Sequence, residues 1–331
     1  MARMTYADAV RHALAEEMRR DKRVWALGED LSTAHGNSSA NQYTGLIDEF
    51  GSKRIVNTPI SESTIMGAAV GAAVAGTRPV ADLRMIDFGL CAIDELVNQA
   101  AKIRYMFGGQ ARVPLVVREA IGLKAGMAAQ HTQSYEAWFA HVPGLVVVTP
   151  ATPADGRGLL KASIRCDDPV VFMEHKDLWG LEGDIDLDDE GLVPIGKAKT
   201  LRAGIDLTIV AWSRMTHVSM LAADELAKQN VSTEVIDLRT IYPWDQQAVL
   251  ASVEKTGRLL VVQESVLAGG FANEIAAEIA QQLHWKLHAP VARLGAPRIP
   301  VGYAPALEAE HRVEAAKIVQ EGLRLVKASK T

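Results

Sequence analysis

One carboxylate and one histidine stand where their surroundings could support proton chemistry. The run Asn57-Thr58-Pro59-Ile60-Ser61-Glu62 opens directly onto the small-residue stretch Ile65 to Gly76. Glu62 therefore lies in the connection between a short strand (Arg54-Ile55-Val56) and a tightly packed helix. A carboxylate held there has few water neighbours, so its proton affinity can be tuned and its direction fixed. Further on, Ala129-Gln130-His131-Thr132-Gln133-Ser134 places His131 in a second polar loop. Taken alone, Glu62 also reads as a helix-start carboxylate favoured by the N-terminal dipole, and His131 as a satisfied polar histidine. Together the two segments look like half of an active site. His141, before Val142-Pro143-Gly144, reads as a loop residue, and Phe88 and Tyr105, each by itself, as core aromatics. No G-x-G-x-x-G follows a strand, and no P-loop, HExxH or G-x-S-x-G element occurs, which removes several common chemistries. Cys91 and Cys166 match no metal or redox spacing and are expected to be reduced, buried thiols.

The elements that must position these residues alternate along the chain. Tyr6 to Asp21 carries Ala9, Val10, Leu14 and Met18 at helical spacing and predicts a helix. Val24 to Leu27 reads as a strand ending at Gly28-Glu29-Asp30, followed by a long polar loop over residues 31–44, a length that usually carries function. Strands at 79–83, 114–117, 145–148 and 169–173 and helices at 90–106 and 154–164 then alternate, the pattern of a parallel sheet covered on both faces. A second α/β series begins after the acidic stretch Asp184 to Gly191. The expected domains are 1–190 and 200–331, with the boundary near 185–205.

At 331 residues and 48% hydrophobic composition, the chain suits two soluble globular domains. Its net charge of −5 gives no reason to expect nucleic acid or an anionic membrane as partner. The apolar run Ile65 to Gly76 is shorter than the roughly 20 residues a bilayer requires, and the N-terminus carries no apolar signal region. A cytoplasmic protein is expected. The helix containing Gly67, Gly71 and Gly76 is small on every face, which predicts close packing against another helix, as at a tight subunit interface.

A longer series of segments carries a family resemblance. Gly28-Glu29-Asp30, Thr58-Pro59-Ile60-Ser61-Glu62, Asn98 to Met106, Gln130 to Ser134, His141 to Leu145, Glu174-His175-Lys176 and Ile236 to Thr240 occur in order between about residues 4 and 325. In this the chain resembles the β subunits of the thiamine-diphosphate-dependent decarboxylating component of 2-oxo acid dehydrogenase complexes, a family that includes the pyruvate and acetoin dehydrogenases. The resemblance implies an α/β fold of two parallel-sheet domains, a pyrimidine-type domain followed by a transketolase-like C-terminal domain. It implies that Glu62 hydrogen-bonds a ring nitrogen of the cofactor's aminopyrimidine, that Phe88 stacks on that ring, and that Glu29 adjoins it and relays protons. His131 would orient or protonate the substrate oxygen and assist acyl transfer to a lipoyl group.

The resemblance also implies that another chain must supply the rest of the site. Thiamine enzymes hold Mg²⁺ and diphosphate through a Gly-Asp-Gly run followed some way on by Asn-Asn, and this chain has neither. An α subunit is expected to provide that part, in a heterotetramer of two α and two β chains, and a lipoyl acyltransferase core to receive the acyl unit. Some members bind K⁺ at the positions matching Leu115, Ser163, Ile164, Cys166 and Asp168. The chain departs from the family pattern at Arg118-Glu119-Ala120-Ile121-Gly122-Leu123-Lys124, where glycines and a proline are usual. Two rival readings are a thiamine-dependent transferase that works without lipoamide and a non-catalytic subunit that organises its partners.

Overall fold

Residues 1–31 and 40–328 are described by a computed structural model. They divide into two units, one formed by residues 1–121 and 138–195, the other by 122–137 and 196–331. The main break falls between Ile195 and Gly196. The segment 122–137, which carries His131, groups with the second unit, whereas a single division near 190 assigns it to the first. Most of the polar loop expected at 31–44 lies outside the described residues.

The strands in chain order are β1 (Ala2–Thr5), β2 (Val24–Glu29), β3 (Ile55–Thr58), β4 (Arg78–Met85), β5 (Val116–Ile121), β6 (Val146–Val148), β7 (Val170–His175), β8 (Glu182–Ile185), β9 (Lys199–Arg202), β10 (Leu207–Ala211), β11 (Thr233–Asp237), β12 (Thr240–Tyr242), β13 (Leu259–Val266) and β14 (Ala292–Ala296). The helices are α1 (Tyr6–Arg20), α2 (Leu46–Phe50), α3 (Glu62–Val74), α4 (Ile86–Gly89), α5 (Ala101–Met106), α6 (Glu136–Ala140), α7 (Pro153–Arg165), α8 (Arg214–Ala227), α9 (Gln246–Thr256), α10 (Ala272–Leu283), α11 (Pro305–His311) and α12 (Ala315–Lys327).

In the first unit the sheet runs β6-β7-β5-β4-β2-β3 with every neighbouring pair parallel. All residues of β5 and β7 are buried, as expected of strands covered on both faces. Helix α1 starts where the Thr5 hydroxyl accepts from Asp8 N and ends in Arg19 and Arg20, so both ends suit the helix dipole. It packs against α7, which opens with Thr152 as its cap and Pro153 in its first turn. At Gly156 the approach is so close that a Cβ would lie 2.9 Å from the Tyr6 ring. Charges enclosed between these helices are matched: Glu16 with Arg157 at 2.8 Å and Lys161 at 3.1 Å, Glu17 with Arg165 at 2.7 Å.

The helix expected over 90–106 is broken into short pieces. Helix α4 is followed by a 3₁₀ turn at Leu90–Ala92 and a π-type segment at Glu95–Ala100 before α5 begins. A π turn adds a residue and shifts the face presented by the next helical turn. Tyr105, expected in the core, is 89% exposed, and Met106 and Phe107 are exposed beside it. Cys91, expected to be buried, is also exposed. Helix α3 buries Ile65, Met66, Ala69, Val70 and Ala73 and leaves Gly67 and Gly71 open.

The second unit is a sheet in the order β14-β13-β10-β11-β9. Its pairs are parallel except the edge strand β9, which runs antiparallel to β11. Helices α8 and α12 cover one face around Leu207, Ile209, Val218, Leu226, Ile318 and Leu325. Among the described residues no helix is long and apolar enough to cross a membrane.

Candidate active site

Parallel strands deliver their C-terminal ends to one edge of the sheet, where open α/β folds bind ligands. Here β4, β2 and β3 are neighbours, with Glu29 level with Thr58 and Gly28 level with Asp82. This register brings Glu29, the turn after β3 that leads to Glu62, and the Asp82-Leu83-Arg84 stretch of β4 to one place. They line a shallow, open cleft together with Ile60 and Ile65. Gly28 is required by the close approach of the strands, since a Cβ there would meet the Asp82 carbonyl oxygen at 2.6 Å. The Asn57 side chain accepts from Leu31 N at 2.8 Å and ties the chain beyond Glu29 to β3.

Glu62 is the first residue of α3 and is half-buried. Glu29 faces the Arg84 guanidinium at 3.3 Å. Arg84 reaches it from a left-handed backbone (φ +66°) in which its N–H donates to the Asp82 carboxylate at 2.9 Å. Burial raises the proton affinity of Glu29. Arg84 opposes the rise, and the nearby carboxylates Asp30, Glu62 and Asp82 add to it. A half-buried glutamate that gains protons readily, beside a second glutamate at a helix start, fits the nitrogen edge of an aminopyrimidine. The chemistry of this donor set does not fit a divalent metal with a diphosphate. Among the described residues no group of three His, Cys, Asp or Glu side chains could hold a metal ion.

Behind the cleft, β5 carries two charged residues in succession, and a strand turns successive side chains to opposite faces. Arg118 forms a two-pronged ion pair with Glu174 of β7 at 2.8 and 2.9 Å. Gln42 donates to the same carboxylate at 2.9 Å, and the Tyr43 ring lies 5.2 Å from the guanidinium. Glu119 faces the other way. It is 1% exposed, and neither of its oxygens has a hydrogen-bond partner among the described residues. It sits against the turn that carries Phe88, because a Cβ on Gly89 would collide with Glu119 Oε1. Burial, with the charges of Asp82 and Asp87 adding to it, pushes its carboxyl well above the usual carboxylate range. Phe88 itself lies in α4 and is half-buried.

His131 belongs to the second unit, and the structure builds its loop there. Gly122 N donates to Gln133 O at 3.1 Å and closes the loop ends on each other. The Thr132 hydroxyl donates to Ala128 O at 2.6 Å. Leu123 N donates to Glu264 at 2.6 Å and Gly126 N to Glu308 at 2.7 Å. The Trp212 indole donates to Glu136 at 3.2 Å. Sequence reading missed Asp82, Arg84, Glu119, Glu264 and Glu308. A charged residue inside an otherwise apolar strand signals Glu119; the two anchoring glutamates carry no local signal.

The five residues matched to a potassium site lie together, but their oxygens have other partners. Leu115 O accepts from Val170 N and Ser163 O from Cys166 N. Arg78 donates to Ile164 O and Cys166 O, both at 2.9 Å, and Asp168 is ion-paired with Arg104 at 2.5 Å. A guanidinium already holding two of the carbonyls does not fit a second cation beside it.

Comparison with known proteins agrees with this architecture. Residues 2–180 match the transketolase pyrimidine-binding domain, and residues 196–318 match the transketolase C-terminal domain. The chain is 42% identical over 320 residues to the 2-oxoisovalerate dehydrogenase subunit beta of Bacillus subtilis, covering 96% of this chain and 97% of that one. It is 43% identical over 333 residues to the acetoin:2,6-dichlorophenolindophenol oxidoreductase subunit beta of Cupriavidus necator, covering 97% of each. A solved structure described as a split-gene transketolase, inactive beta4 tetramer, superposes with a TM-score of 0.81 at 21% identity, covering 98% of this chain and 99% of that one. That likeness shows the fold. The chain belongs to the family of β subunits of the pyruvate, 2-oxoisovalerate and acetoin dehydrogenases, with a transketolase pyrimidine-binding domain followed by a transketolase C-terminal domain.

Proposed function

We propose that this chain is the β subunit of a thiamine-diphosphate-dependent dehydrogenase that cleaves a 2-oxo acid or acetoin and passes the acyl unit to lipoamide. The observation that carries this reading is the convergence of Glu29 and Glu62 on one cleft at the carboxyl edge of a pyrimidine-binding domain. Thiamine diphosphate, when bound, supplies the electron sink for breaking the bond beside the substrate carbonyl. Glu62 would hold the ring nitrogen of the aminopyrimidine by a hydrogen bond and favour one tautomer. Glu29, with its raised proton affinity, would hold or give up a proton at the same edge, with Arg84 beside it at 3.3 Å. Phe88 would stack on the ring. His131 orients the substrate oxygen and moves a proton during acyl transfer.

Among the described residues no group of His, Cys, Asp or Glu could hold Mg²⁺, and an α subunit holds it with the diphosphate, in an assembly of two α and two β chains. A lipoyl acyltransferase receives the product, and the complex is cytoplasmic. Arg78, on the Ile164 and Cys166 carbonyls, stands where a potassium ion would otherwise sit. The test is a substrate panel with the purified α and β chains. Pyruvate, branched 2-oxo acids and acetoin are each offered with and without a lipoyl domain. Turnover that requires the lipoyl domain supports the proposal. Turnover indifferent to it points to a transferase, and no turnover of any substrate points to an organising subunit.

A further inference from the structure

We propose that Glu264 and Glu308 are positioning residues for His131, acting by pinning the backbone of its loop from two sides; the proposal rests on the functional reading of His131. The ends of the loop 122–133 meet where Gly122 N donates to Gln133 O at 3.1 Å. Three of its residues have left-handed backbone: Gly122 (φ +87°), Gly126 (φ +76°) and Ala128 (φ +52°). Such a segment has no ladder or helix to hold it, and its N–H groups need acceptors. Two of them find carboxylates. Leu123 N reaches Glu264 at 2.6 Å, and Gly126 N reaches Glu308 at 2.7 Å. Hydrogen bonds to an ionised acceptor are about twice as strong as neutral ones.

The two carboxylates come from separate rigid elements. Glu264 is on strand β13, with Arg214 at 3.6 Å from its other oxygen. Glu308 is on helix α11 and is 4% exposed. Glu308 stands in the first turn of its helix and turns one oxygen to the loop amide of Gly126. The effect is to fix two points of the loop about the histidine, in the same unit of the fold. A reacting group misplaced by about an ångström can lose about a hundredfold in rate.

The test uses the assembled α and β chains with a lipoyl domain as acceptor. Glu308→Ala and Glu264→Ala should each lower kcat tenfold or more with little change in KM, and should speed amide hydrogen exchange across residues 122–133. Glu308→Gln keeps an acceptor oxygen and should recover part of the loss. In a His131→Ala background, Glu308→Ala should cost nothing further, because a positioning residue has nothing left to position. An equal loss in both backgrounds, or unchanged exchange in the loop, overturns the proposal. If His131→Ala alone leaves turnover intact, the role given to the histidine fails, and the proposal falls with it. Unaltered cofactor binding and melting temperature in the glutamate variants separate either result from misfolding.

Discussion

Replacing Glu119 with glutamine should make the protein more stable, and increasingly so as pH rises. The carboxyl is 1% exposed, has no hydrogen-bond partner among the described residues, and faces Asp82 and Asp87. Its folded pKa lies far above the unfolded value of about 4.3. Between those two values the native state keeps a proton that the unfolded state has released. Stability therefore falls as pH rises, by about 1.4 kcal/mol per pH unit for one such group. The contribution is fully present below the unfolded pKa and drains away towards the folded one. Glutamine keeps the shape and does not titrate. From pH 5 to pH 7 the wild type should lose stability relative to Glu119→Gln. The assay is denaturant unfolding of both proteins at the two pH values, with the difference between them as the readout, so that other titrating groups cancel. A difference that does not change with pH would mean that Glu119 is ionised in the fold, and the account of its burial would be wrong.

Two further outcomes rest on the geometry of the site and of its potassium-matched neighbourhood. Glu62→Gln should leave assembly with the α subunit intact and lower turnover by about two to four orders of magnitude, the range typical of a lost acid–base contact; deuterium exchange at the reactive carbon of the cofactor, followed by NMR, should slow in parallel, and normal turnover would remove Glu62 from its role. Exchanging K⁺ for Na⁺ should leave the melting temperature unchanged, because Arg78 holds the Ile164 and Cys166 carbonyls; a clear rise in K⁺ would show that the ion displaces the guanidinium.

Much of the fold was legible because its strands are short apolar runs separated by helical periodicity, and both parallel sheets follow from that alternation. Glu62 and His131 could be singled out as candidates because each sits in a polar stretch of sequence beside a recognisable packed element. Long-range relations could not be read. The pairing of β2 with β4 that sets Asp82 and Arg84 beside Glu29 depends on strand order, which local pattern does not encode. The grouping of 122–137 with the second unit depends on Glu264 and Glu308, more than a hundred residues downstream. Tyr105 read as a core aromatic from its type, yet it is exposed after a π-type turn, a shift of face that no single-residue preference reveals. Exposed Cys91 misled in the same way.

The most direct test of the central claim, that this chain supplies the aminopyrimidine half of a divided cofactor site, is calorimetric titration of thiamine diphosphate with Mg²⁺. The titration is run on this chain alone and on the chain co-expressed with its α partner. Tight binding only in the presence of the partner is the expected result. Tight binding by this chain alone, or none by either form, would contradict the divided site.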